Sequence, residues 1–288
     1  MTSRSTSPQR PLSAGRLALV AAATVLVAGT VFVAAGCGAG SDGASPSPEA
    51  AGAAKTVSYS RVVELSQPIS PDIPLWPGDP AVVFKVVATM DKDGYYLRSF
   101  SIGEHSATHM NAPNSFVEGS PEDITSYPAE QRVVPAVVVD VRPQCAEDAD
   151  YRLTRDDVLA WEKEHGEIAP GSVVLMLTGW QDLWDDPQAF LNLDDQGELH
   201  FPGFDGETTA WLMDERDIAG VGIDTHGVDA GTDESYATNM LMAENHKIAL
   251  ECLGNLDQLP PTGATLVLGA LQLVGGSGTP LSVVALVP

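Results

Sequence analysis

Basic side chains are scarce in this sequence. Fifteen Lys and Arg face 39 Asp and Glu across 288 residues, a formal charge of −24. That balance excludes nucleic-acid binding through clustered Lys and Arg on phosphates, and loose attraction of the globular part to anionic lipid. Cysteine is rarer still. Three are present, with no CxxC pair and no zinc-ribbon spacing, so a cysteine metal site is excluded. Only Cys145 and Cys252 fall in the body of the chain, and their wide separation leaves open whether they pair. No GxSxG elbow occurs, which removes the usual serine-hydrolase arrangement. GlyGlySerGly (275–278) has no following Lys and reads as a turn between strands, not a phosphate loop. Repeats with a period of about 20–50 residues are absent. With 44% hydrophobic and 19% charged residues, the composition fits a packed body and excludes a disordered polyelectrolyte.

What is present begins with an address. Residues 17–36 (LALVAAATVLVAGTVFVAAG) carry no charge and follow Arg4, Arg10 and Arg16 in a Ser-rich head. A basic flank before an apolar core is the layout of a secretory signal, here nearly as long as the roughly 20 residues that span a bilayer. Ala34, Ala35 and Gly36 stand directly before Cys37 and resemble a bacterial lipoprotein processing site, with Cys37 as the lipid-bearing residue; an uncleaved anchor is the alternative. Either way, residues 1–36 are expected to place the rest outside the cytoplasm, tethered to the membrane only through that N-terminal lipid or anchor. Residues 37–55, mostly Gly, Ala, Ser and Pro, read as a flexible tether. Residues 56–288 are left for one domain with a sizeable core.

Within that domain, alternating or β-branched runs predict strands at 61–65, 81–88, 95–102, 133–141, 172–177, 219–223, 264–273 and 281–287. Helices are expected at 154–165, capped by Thr154 or Asp156, and at 207–215, with a helix or helix plus strand over 239–253. The fold class is mixed α/β.

The densest chemistry lies in GEHSATHMNAPNSF (103–116). His105 and His109, four apart, suit a shared metal if the backbone between them turns; two histidines in ordinary hydrogen bonds are the plainer reading. Asn111 lies two residues on, and Pro113 bars a regular helix before Asn114 and Ser115.

This segment resembles the signature HxGTHxDAPxHF of the metal-dependent cyclase/kynurenine formamidase family. The resemblance extends through LeuTrpProGlyAspPro (75–80), LeuThrGlyTrp (177–180), PheProGlyPhe (201–204), GlyIleAspThr (222–225) with Asp229, the LeuGlu and LeuGlyAsnLeuAspGlnLeuPro blocks of 250–260, and GlyGlySerGly (275–278). It implies a swivelling β/β/α domain, commonly a homo-oligomer, that hydrolyses an aromatic formamide or cyclic amide with a divalent ion, Zn or Mn, as an arylformamidase does in tryptophan breakdown. His105 and His109 match the two metal histidines of the motif, and Glu251 matches a later Glu. Asn111 replaces a ligand Asp, Ser115 a later His, and Asn239 a His about twelve residues before Glu251.

All three changes discard a charge or an imidazole. The retained His105, His109 and Glu251 form a His2Glu set expected to hold one ion; such a set suffices for some single-zinc hydrolases, where the pKa of a bound water falls towards ~7. Asn111 and Asn239 are expected to orient substrate or donate to a developing oxyanion. Ser115 is expected to line the site, and His226 to move protons in place of the missing base. Trp76 and Phe116 are candidates to stack on a planar small-molecule substrate, and His200 to line the pocket. A lipoprotein that binds a small ligand on the same fold without turnover is the rival reading.

Overall fold

The computed structural model describes residues 56–288. The expected signal or anchor (1–36) and the tether with Cys37 (37–55) lie outside the described residues. Among the described residues no helix is long and apolar enough to cross a membrane.

Seven strands close into a ring. They are β4 (His109–Asn111), β5 (Val133–Asp140), β7 (Val173–Leu177), β9 (Gly220–Ile223), β10 (Ile248–Glu251), β11 (Ala264–Ala270) and β12 (Gly278–Val287). The order is β12-β11-β5-β7-β9-β10-β4, and β4 pairs back onto β12; β1 (Arg61–Glu64) adds to β12 from outside. Neighbours from β5 to β10 run parallel and the other pairs antiparallel. Parallel strands need crossover helices that cover a face of the sheet, so both faces of β5 and β7 are buried and their sequences run apolar without interruption. Val134, Ala136 and Val138 of β5 join Leu175, Leu250, Leu266 and Val283 in one core. Val137 and Val139 point the other way, to Leu212 of α5 (Gly206–Arg216) and to Val158 and Trp161 of α3 (Arg155–His165). The expected cap on α3 is Thr154, in a capping box with Asp157.

On β9 the ring is too tight for side chains at two positions. A Cβ on Gly220 would lie 2.1 Å from Ile248 O, and one on Gly222 2.7 Å from Leu175 Cδ2. Beyond β9, the buried Asp224 accepts from Thr178 N and Oγ1 and from Gly179 N at 2.7–3.0 Å, stitching the end of that strand to the loop after β7.

Two smaller sheets complete the chain. β2 (Val83–Ala88) and β3 (Leu97–Ser101) form a ribbon off the body, flanking the short α1 (Met90–Asp93), and β6 (Arg152–Leu153) pairs with β8 (Gly203–Phe204). Val83, Val86, Tyr95, Leu97 and Phe100 of the ribbon region are exposed, Phe100 by 67%. The remaining helices are α2 (Arg142–Glu147), α4 (Pro187–Leu191) and α6 (Ala237–Glu244). Cys145 and Cys252 are both free and buried.

Candidate active site

Strand β4 was not predicted from sequence, and it carries the site. It is three residues long, held between β10 and β12. Register does the assembly: His109 stands opposite Glu251, and Asn111 opposite Gly278. The chain reaches β4 through bends at 104–108 that include Ala107 at φ 56°, the turn that two histidines at this spacing require. Thr108 pins that turn, donating to Cys252 O at 2.6 Å and accepting from Gln67 N at 2.8 Å. The His105 and His109 rings meet edge to face, 5.3 Å between centroids.

A cavity of about 260 Å³ opens over these side chains. Trp76, Phe116, Phe201 and Tyr236 give it aromatic walls; His105, His109, Asn111, His226, Asn239 and Glu251 supply most of its polar lining. Asn239 comes from the first turn of α6, whose N-terminal N–H groups at 238 and 239 donate to the buried Asp229 carboxylate. His226 is wedged between Trp76 and Phe190, with ring centroids 5.5 and 5.8 Å away. Burial, with His109 nearby, pushes its pKa down to about 4, so the imidazole is uncharged at neutral pH.

The family model for Cyclase matches residues 63–230, more than half of the chain. This chain belongs to the cyclase family. It is 34% identical over 243 residues to an isatin hydrolase of Roseibium aggregatum, covering 79% of this chain and 92% of that protein. A solved isatin hydrolase A from Ralstonia solanacearum superposes with a TM-score of 0.75 at 37% identity, over 79% of this chain and 92% of that one. A kynurenine formamidase of Salinibacter ruber is 23% identical over 225 residues, 77% of this chain and 96% of that protein.

In this cyclase the charges are ordered around Glu251. Its Oε1 accepts from Val228 N at 3.0 Å, Asn111 Nδ2 at 3.1 Å and Asn239 Nδ2 at 3.2 Å. Its Oε2 is turned to His109 Nε2, 2.9 Å away. Burial alone would raise the carboxyl, but His109 and the N–H donors hold it at about 2, so it is ionised. His109 donates from Nδ1 to Ala107 O at 2.9 Å, which leaves Nε2 as the atom facing Glu251. Nε2 and Oε2 thus form a buried pair contact. Two buried basic atoms this close require a cation nearby, either a proton or a metal ion. The tendency to take that cation is visible in His109 itself: burial would lower its pKa, yet the adjacent Glu251 holds it above the ordinary value.

The expected ligands His105, His109 and Glu251 meet at the cavity, with Asn111 beside them. Among the described residues no three His, Cys, Asp or Glu side chains are grouped to hold an ion by themselves, so the His105–His109–Glu251 set is incomplete alone. Asn111 is the nearest further oxygen donor to this set. Both hydrogens of its amide are used, on Asn239 Oδ1 at 2.9 Å and on Glu251 Oε1, which turns Oδ1 toward His105 Nδ1 at 2.8 Å. A flipped amide would set oxygen against both acceptors, so the orientation is fixed by its neighbours. Asn111 is thus a candidate oxygen ligand and has no N–H left for an oxyanion. Asn239 lines the cavity as expected, with its amide holding Glu251 and Asn111.

Two expected residues lie elsewhere. Ser115 is not part of the cavity wall; its hydroxyl donates to Ala112 O at 2.6 Å inside its own turn. His200 also lies outside the wall, bound through Nδ1 to Asp150 at 2.9 Å with Asp194 beyond. Asp79, Phe201, Asp233 and Tyr236 were not singled out from sequence yet line the cavity. Asp79 and Phe201 sit inside two of the family blocks, and that was the available signal.

Proposed function

We propose that this cyclase opens the C–N bond of a neutral cyclic aromatic amide, adding water to give a ring-opened carboxylate and amine. One observation carries the reading: a cavity with aromatic walls whose polar side presents a buried imidazole nitrogen without a hydrogen-bond partner, His226 Nε2, beside the His109–Glu251 pair. Planar walls suit a planar ring. No Lys or Arg lines the cavity, and Asp79 and Asp233 do. Such a wall favours an uncharged substrate and repels the carboxylate product. The likeness to isatin hydrolases, at 34% and 37% identity, points to the same substrate class more strongly than the 23% likeness to a kynurenine formamidase.

His105, His109, Asn111 and Glu251 would hold the divalent ion that the family implies. When bound, it supplies Lewis acidity, polarising the amide carbonyl and acidifying a water molecule. The protein's own part is positional and protonic. Trp76 and Phe116 hold the ring and exclude bulk water. His226, neutral and fixed between Trp76 and Phe190, offers Nε2 to accept a hydrogen bond and relay a proton from the attacking water to the leaving nitrogen.

Isatin and formanilide, assayed side by side on chelator-stripped protein reloaded with Zn²⁺ or Mn²⁺, test this. Isatin is expected to be opened with kcat/KM at least about tenfold above formanilide, a difference of ~1.4 kcal/mol. A preference for formanilide would restore the arylformamidase reading. No turnover of either, with any ion, would leave a ligand-binding relative.

The same reading assigns the exposed apolar ribbon to a second copy of this chain, since patches of this kind mark interaction sites. Phe100→Asp is expected to lower the sedimenting mass of the purified protein; an unchanged mass would remove the ribbon from the interface.

A further inference from the structure

Two pairs of aromatic rings line the cavity. Trp76 and Phe201 meet edge to face, 6.2 Å between centroids, and Trp76 also meets His226 at 5.5 Å. The second pair is Phe116 and Tyr236, 5.9 Å apart and inclined by 47°. It stands on the side where α6 brings in Asn239, because Tyr236 is the N-cap of that helix. His109 and Glu251 are buried whereas Tyr236 is 41% exposed, so this second pair marks the outer end of the cavity.

Tyr236 occupies that place at a cost. Its backbone is left-handed, φ 51° and ψ 41°, a region that glycine enters freely and a bulky residue enters only under constraint. The constraint is built on both sides of it. Ser235 donates its N–H and its hydroxyl to Asp233 Oδ1 at 2.9 and 2.6 Å. Beyond it, Asp229 holds the N–H groups of 238 and 239, and Met240 N donates to Tyr236 O at 2.8 Å. The tyrosine side chain gives the helix no capping hydrogen bond; the Asp229 carboxylate does that work. Glycine would meet the same backbone demand without strain, so neither turn nor cap accounts for a tyrosine here. Its ring over the cavity does, and residues kept in costly conformations cluster at functional sites.

We propose that Tyr236 is a specificity-determining residue: with Phe116 it grips the aromatic ring of the substrate at the outer end of the cavity, and so selects flat aryl amides over saturated cyclic amides of the same outline. This deepens the cyclic-aromatic-amide reading and rests on it for the substrate class, but its test reads binding and needs no turnover.

Oxindole and octahydroindol-2-one share a lactam and a carbon skeleton and differ in whether the six-membered ring is aromatic. Calorimetric titration of each into the full chain is the probe. Wild type is expected to prefer oxindole about tenfold or more, and Tyr236→Gly to cut that preference about 2- to 10-fold, the range for one aromatic contact. Tyr236→Phe is expected to keep it. The thermal midpoint of Tyr236→Gly should stay within about 2 °C of wild type, because relief of the backbone offsets the lost contact with Phe116. Tyr236→Asn, which also tolerates the left-handed region, is the second variant if the glycine protein folds poorly. With isatin, Tyr236→Gly should raise KM more than it lowers kcat. An undiminished preference in both variants would overturn the assignment. A midpoint lower by more than about 5 °C in both would make Tyr236 a residue of the fold and overturn it as well. No turnover of isatin, with the oxindole preference present in wild type and reduced in the variants, would count against the proposed reaction and leave the role of Tyr236 standing.

Discussion

His109→Ala is expected to lower kcat/KM by about a thousandfold or more, ~4 kcal/mol of transition-state stabilisation, and to abolish ion uptake. His109 is fixed at both ends, Nδ1 by Ala107 O and Nε2 by Glu251, and is almost wholly buried. On the proposed reading alanine removes one ion donor; it also strands Glu251, which His109 holds ionised against the effect of burial. Breaking a buried charged pair from one side typically costs about 3–5 kcal/mol, so the thermal midpoint should fall too. The two losses separate by measurement: metal analysis and steady-state kinetics report the site, and circular dichroism melts report the fold. Activity within about threefold of wild type, with metal retained, would take His109 out of the mechanism.

Gly220→Ala is the second large effect, and here the loss is of the fold. Gly220 stands opposite Ile248 in the parallel pair β9–β10, and the added methyl would sit 2.1 Å from Ile248 O and 2.6 Å from its Cβ. A backbone oxygen in a strand ladder cannot move aside without breaking pairing, so relaxation must part the strands. Destabilisation of roughly 4 kcal/mol or more is expected, which for a domain of this size lowers the midpoint by about 10 °C. Both strands lead into the site, β9 to the segment with Asp224, His226 and Asp229, and β10 to Glu251. A midpoint within about 2 °C of wild type would show that β9 and β10 can part at little cost.

What could be read from sequence follows from how local each cause is. The apolar runs of β5 and β7 and the Thr154 cap depend on neighbours within a few residues, and they emerge as expected. Strand β4 does not, because HisMetAsn has no alternation or β-branching and becomes a strand only through pairing on both sides. Family blocks pointed correctly to the cavity for His105, His109, Glu251, Trp76 and Phe116. They could not show how the Asn111 amide is oriented, because that is decided by Asn239 and Glu251, more than a hundred positions away. Ser115 misled for a related reason: matching a family position does not carry its side chain into the cavity once the hydroxyl finds Ala112 O within its own turn.

The closure of the ring by β12 has a temporal consequence. The last strand of the chain supplies one neighbour of β4, and the segment just before it supplies the partner of His105. During synthesis, His105 and His109 therefore emerge long before the residues that orient them. The loop that must close exceeds 160 residues, but closure entropy grows only as the logarithm of length. Final assembly thus waits for the C-terminus. A nascent chain, or one clipped before residue 278, displays two histidines without the finished site.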